Sequence, residues 1–253
     1  MLPCAQSQGR PPLPADSRAG CASEPPGRRL GLSPRSLHTY HSRVPPFLLD
    51  GPSDARTTIA LAHGAGAPMD SPFMEKAARA LALHGFRVAR FEFPYMRARR
   101  GGGARGAPDR PAVLKETWLA AIRELGADRL VIGGKSLGGR IASMVADEAG
   151  VRGLICFGYP FHPPGAPDRL RTAHLETLAT PALVLQGTRD PFGTPEEVGS
   201  YRLSGSIRVV WVPDGDHSLK PRARSGRTES QNLELAFETA AEFARRLGAP
   251  VSS

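Results

Sequence analysis

The run Val131-Ile-Gly-Gly-Lys-Ser136-Leu-Gly-Gly-Arg140 carries the sharpest chemical signal in the chain. An apolar β run enters a glycine turn, and helical spacing resumes at Leu137. Gly134-Lys-Ser136-Leu-Gly138 fits G-x-S-x-G, the pattern of a serine held on a strained strand-to-helix turn. The residues two positions either side must be small, because strand and helix cross closely there. The helix start also turns its amides and the positive end of its dipole toward the serine. Gly-Lys-Ser after a strand fits a phosphate-binding loop as well, but that loop needs a glycine five positions before Gly134. Position 129 is Arg and Leu130–Ile132 are apolar, so no loop remains to wrap a phosphate.

A nucleophilic serine needs a base and an acid that orients it, in the order Ser, Asp or Glu, His for this kind of turn. Ala182-Leu-Val-Leu-Gln-Gly-Thr-Arg-Asp190-Pro places an acid just past one apolar run. Ile207-Arg-Val-Val-Trp-Val-Pro-Asp-Gly-Asp-His217 places a histidine just past the next. In this reading Ser136 attacks, His217 takes its proton, and Asp190 fixes the imidazole tautomer. Each residue also has a plainer reading. Asp190 before Pro191 fits a turn start, Asp214 and Asp216 fit caps, and His217 alone fits a hydrogen-bonded loop histidine. Two amides are expected to hold the oxyanion: Leu137, next after the serine, and Ala65 in Leu61-Ala-His63-Gly64-Ala65-Gly66-Ala67. His63 is expected to orient that loop, and His84 and His174 to be structural.

Positioning these residues requires a parallel sheet. Apolar runs at Thr57–Ala62, Phe86–Phe91, Arg129–Ile132, Val151–Phe157, Ala182–Gln186 and Ile207–Val212 alternate with helical periods near 71–84, 112–126, 137–149 and 231–247. That alternation predicts an α/β fold with helices on both faces and the active groups at the carboxyl ends of the strands. The stretch Arg97–Gly106 reads as a basic flexible loop on the catalytic rim. About 25 residues separate the fourth and fifth runs, too few for a lid domain. Residues 46–253 form the expected domain.

Residues 1–45 read differently. Pro, Gly and Ser fill 18 of these 45 positions, without apolar periodicity, which predicts a disordered tail. His38 and His41 there have no further ligands nearby, so no metal site is expected. Six arginines against Asp16 and Glu24 give the tail +4 and leave +5 of the total +9 for the domain. Only four of 33 basic residues are lysines, a bias of composition rather than of nucleic-acid recognition, and no aromatic interleaving supports a stacking platform. Three cysteines (Cys4, Cys21 and Cys156) exclude a disulfide scaffold and favour a reducing, cytoplasmic setting. No apolar run spans a membrane, and the first residues lack the apolar core of a secretory signal.

The segments LAHGAGAPMDSPFM, RFEFPYM, GGKSLGGRIAS, CFGYPFHPPG, QGTRDPFG and GDHSLKP resemble one subgroup of the α/β-hydrolase superfamily. That subgroup is the dienelactone-hydrolase-like domain shared by bacterial proteins and subunit three of the NSL histone acetyltransferase complex. The resemblance spans roughly residues 56–247. It implies the α/β-hydrolase fold and supports the roles of Ser136, Asp190 and His217; the short fourth-to-fifth connection departs from the many relatives that carry a lid. Dienelactone hydrolases proper use a cysteine nucleophile, whereas this chain has Ser136, and Cys156 reads as a core residue. The expected activity is hydrolysis of a small-molecule carboxylic ester or thioester, with no cofactor or metal. The contrasting expectation is an interaction module that has kept the fold and lost catalysis. Lys135, Arg97 and Arg100, with Arg99, Arg105 and Arg140, are expected either to contact an anionic substrate or to be solvated charges, or for Arg140 a member of a structural ion pair.

Overall fold

The structure is a computed structural model that describes residues 44–102 and 106–248. The expectations for the 1–45 tail (Val44 and Pro45 apart), for Cys4, Cys21, His38 and His41, and for Arg105 lie outside the described residues.

Seven strands form one sheet: β1 (Phe47–Asp50), β2 (Thr58–Ala62), β3 (Arg87–Phe91), β4 (Leu130–Lys135), β5 (Gly153–Phe157), β6 (Ala182–Gly187) and β7 (Ile207–Val212). Their order is β1-β3-β2-β4-β5-β6-β7, with β1 antiparallel to β3 and all other pairs parallel. The helices are α1 (Pro72–Leu83), α2 (Pro94–Arg100), α3 (Pro111–Leu125), α4 (Leu137–Ser143), α5 (Ala146–Ala149), α6 (Pro195–Gly199) and α7 (Glu229–Gly248). The connection from β5 to β6 contains one short 3-10 turn, Ala173–Leu175, and no cap domain.

Strand residues alternate between two apolar layers, as the two-residue period of a β-strand requires. Ile59, Leu61, Val131, Ile155, Leu183 and Leu185 pack with α1 and α7. Ala60, Ala62, Ile132, Leu154, Cys156 and Val184 pack with α3 and α4. In this second layer Gly138 of α4 meets Ala62 and Gly139 meets Cys156, and these small residues let α4 approach the sheet. The strand order reverses at β2, with β3 added on one side and β4 on the other, so the loops after β2 and β4 diverge and leave a crevice at their carboxyl ends.

Two expectations need correction, and one strand was not expected. The Arg97–Gly106 stretch is not all loop: Arg97 to Arg100 close α2, which starts at Pro94, a residue with φ already suited to a first helical turn. Asp109 Oδ2 accepts the Tyr95 amide (2.9 Å) in its first turn. The helix expected over 137–149 is two pieces, broken at Met144–Val145. Strand β1, with mixed exposure on four residues, had no alternating signal.

Candidate active site

Ser136 has φ 51° and ψ −111°, a left-handed conformation that costs a non-glycine residue about 1–3 kcal/mol. Surrounding contacts enforce it. A Cβ on Gly134 would stand 2.1 Å from the Ala62 carbonyl oxygen, and one on Gly138 would stand 2.2 Å from the same atom. Only glycines let β2, β4 and α4 meet at this point. The Ser136 amide donates to the Phe157 carbonyl (3.0 Å), which ties the turn to β5.

Ser136 Oγ lies 2.9 Å from His217 Nε2, and His217 Nδ1 lies 2.8 Å from Asp190 Oδ2. Asp190 is fully buried. Its Oδ2 also accepts from Gln186 Nε2 (2.9 Å), and its Oδ1 accepts the Phe192 amide (2.9 Å). With Oδ2 accepting from Nδ1–H, the free lone pair of the imidazole is at Nε2, facing the serine. The Phe192 ring covers one face of the imidazole, with centroids 4.1 Å apart. Burial, the largest influence, holds the His217 pKa below its ordinary 6.5; the Asp190 hydrogen bond opposes this and the Lys135 charge adds to it.

The loop bearing His217 is pinned along its length. Asp214 bonds Arg189 and Arg222, while Asp216 Oδ1 accepts the Ser218 and Lys220 amides (2.8 and 3.0 Å), so both acids serve the loop. Buried Asn232 on α7 donates to the Pro213 and Leu219 carbonyls, both at 2.9 Å. Lys135 Nζ donates to the His217 carbonyl at 2.5 Å and stands 5.8 Å over the Phe73 ring. Burial pulls its pKa down to about 8.

The loop after β2 faces the serine from across the crevice. A Cβ on Gly64 would lie 3.8 Å from Ser136 Cβ. Buried His63 accepts the Phe93 amide at Nε2 (3.2 Å), so Nδ1 donates to the Gly64 carbonyl (2.7 Å). In a trans peptide the Ala65 N–H then points away from His63. Tyr95 Oη donates to the Ala65 carbonyl (3.1 Å). Leu137 opens α4, where first-turn amides have no acceptor within the helix.

Residues 55–245 match the family described as alpha/beta hydrolase domain. The chain belongs to that alpha/beta hydrolase family. Several solved structures share the hydrolase fold. The esterase domain of a Rhodothermus marinus protein has 20% identity, covering 79% of this chain and 92% of that one, with a TM-score of 0.58. Dienelactone hydrolase from Anabaena variabilis has 20% identity, 81% and 99% coverage, and a TM-score of 0.61. An alpha/beta serine hydrolase without lid from Xanthomonas campestris has 20% identity, 82% and 90% coverage, and a TM-score of 0.57. At these identities the likeness is one of fold.

The remaining sequence candidates fall in different places within the hydrolase domain. Arg100 forms a fork with buried Glu92 (2.7–2.9 Å) and reaches Asp70 (2.5 Å). Arg97 is half-buried on α2, without an ion-pair partner among the described residues. Lys135 is bonded to the protein backbone, as described above. A second serine–histidine pair, Ser143 Oγ to His174 Nε2 at 2.8 Å, differs in kind. Ser143 is buried inside α4, its Oγ donates to the Arg140 carbonyl (2.7 Å), and no carboxylate orients His174 among the described residues. Gln186 and Phe192 were not expected. A lone amide closing the apolar run Ala182–Gln186 is the signal that marks the first.

Proposed function

We propose that this hydrolase-family chain is a serine esterase or thioesterase that works through Ser136, His217 and Asp190. The observation that carries the reading is the continuous hydrogen-bonded line from Ser136 Oγ through His217 to buried Asp190, begun on a strained serine. His217 Nε2 takes the Ser136 proton as Oγ attacks the carbonyl carbon. Asp190 stabilises the imidazolium that forms. The developing oxyanion is received by the amides of Leu137 and Ala65. Collapse of the tetrahedral adduct returns the proton from His217 to the leaving group and leaves an acyl-Ser136. Water, deprotonated by His217, releases the acid and restores the enzyme. The six sequence segments support a place in the dienelactone-hydrolase-like subgroup, with a small-molecule substrate.

Fluorophosphonate labelling of the full chain tests the reading. The wild type is expected to be labelled, and Ser136→Ala to lose both label and ester turnover, the latter by about a thousandfold or more. A Ser136→Ala protein that still labels would move the nucleophile elsewhere, with Ser143→Ala as the control. A folded wild type that does not label sinks the proposal in favour of an inactive interaction module.

Lys135 and His217 give a second test, through pH. The neutral imidazole is the base, so kcat/KM falls as pH drops through the His217 pKa. Because that pKa lies below 6.5, the acid limb should lie below 6.5 as well. Lys135 lowers the His217 pKa by its charge, so Lys135→Met should move the acid limb to higher pH. A limb that stays in place would show that the ammonium acts only as a tether.

A further inference from the structure

Beside the nucleophile lies a group of cations that the reaction above does not use. Arg140 is one helical turn beyond Ser136, and its amide donates to the Ser136 carbonyl (3.0 Å). Helical side chains lean toward the N-terminus, so the Arg140 side chain covers the first turn of α4, the turn that follows Ser136. Its own carbonyl accepts from Ser143 Oγ, which bonds His174. Tyr159 Oη lies 3.4 Å from both and donates to the Arg171 carbonyl (3.3 Å). From α3, Trp118 Nε1 donates to the Gly138 carbonyl (3.2 Å), and Lys115 stands one turn before Trp118. These bonds tie α3, α4 and the β5–β6 connection together around Lys115, Arg140 and Arg171, and all three are half-buried.

Among the described residues no carboxylate pairs with any of the three. Arg140 Nε is shielded from solvent and has no hydrogen-bond partner among them. Their field reaches the neighbours: burial, then Arg140 and Lys115, hold the His174 pKa down to about 4. Arg171 is lowered by burial, then by Arg140 and Arg169. Half-buried like charges and an orphaned donor both cost stability unless an anion is bound there.

We propose that Lys115, Arg140 and Arg171 bind a phosphate group, and that the ester or thioester cleaved at Ser136 carries one. The proposal rests on the hydrolase reading above. Two guanidinium forks and an ammonium offer more donors than a carboxylate's two oxygens can engage. A phosphate monoester brings three terminal oxygens and about −1.5 to −2 of charge.

Calorimetry with inorganic phosphate and with succinate, at constant ionic strength, reads the site without turnover. Phosphate is expected to bind at least about tenfold tighter than succinate, raise the melting temperature, and slow fluorophosphonate labelling of Ser136. Arg140→Gln and Arg171→Gln should each weaken phosphate binding about tenfold or more, with Arg140→Lys retaining a larger part. Without phosphate, the melting temperatures of both Gln variants should hold or rise as repulsion is relieved. No phosphate binding, succinate as tight as phosphate, unaffected variants, or lower melting temperatures in both Gln variants would each overturn the site. Phosphate that binds without slowing the label overturns its place in substrate recognition. A wild type that binds phosphate but never labels removes the hydrolase reading and leaves the phosphate site standing.

Discussion

Asp190→Asn is expected to lower kcat for an ester by about 10⁴ while the protein stays folded. The reason lies in what the two carboxylate oxygens accept. Oδ2 takes hydrogen bonds from His217 Nδ1 and Gln186 Nε2, and Oδ1 takes one from the Phe192 amide. All three partners are donors in the wild type. An amide at this position must turn its NH2 toward one side or the other. Facing Phe192, it sets two N–H groups against each other in a buried place. Facing His217, it meets Nδ1–H and Gln186 together, and the imidazole relieves the conflict by moving its proton to Nε2. That tautomer has no lone pair for the Ser136 proton. Because the defect is in the tautomer and not in the charge, raising the pH to 9 should not restore turnover. Steady-state kinetics with p-nitrophenyl acetate, beside a melting curve, checks this. A variant that keeps a tenth of the wild-type kcat would remove Asp190 from the mechanism.

The order Ser136, Asp190, His217 was legible in the sequence because each residue follows an apolar run, and a parallel sheet brings the ends of such runs to one edge. His63 was legible for a similar reason: a histidine closing a strand before small residues has backbone groups within reach. What holds these groups was less visible. Gln186 looked like the last residue of a strand, and only the folded chain shows it bonded to Asp190 and to the Tyr159 backbone. Lys135 looked like a rim charge because sequence does not reveal which way a residue beside the serine turns; its partner, the His217 carbonyl, is 82 positions away. Helix α2 was obscured by its own arginines and by the glycines that follow it, although Pro94 was there to mark its first turn. Strand β1 is antiparallel and half-exposed, so it carried neither the continuous apolar signal of its neighbours nor a clean alternation.

Gly138→Ala should be a severely damaging methyl addition beside the site. In an ordinary helix this change is favourable by roughly 1 kcal/mol, because glycine loses more freedom on folding. Here the new Cβ would stand 2.2 Å from the Ala62 carbonyl oxygen, 2.6 Å from its carbon and 2.8 Å from the His63 carbonyl oxygen. These are backbone atoms of the central strand and of the loop beside Ser136, so no side-chain rotation makes room. Helix α4 must move out, and with it the Gly138 carbonyl that accepts from Trp118 and the Leu137 amide beside the serine. A loss of about 3 kcal/mol or more is expected, with turnover lost alongside. Gly199→Ala on α6 supplies the contrast, since a Cβ there meets nothing within 4 Å. It should be neutral or slightly stabilising, by at most about 1 kcal/mol. Urea unfolding of both variants with an unchanged m-value measures the difference. If the two substitutions cost the same, the close crossing of α4 over β2 is not what selects glycine at position 138. The serine's conformation would then have to be held by the Gly134 side of the turn alone.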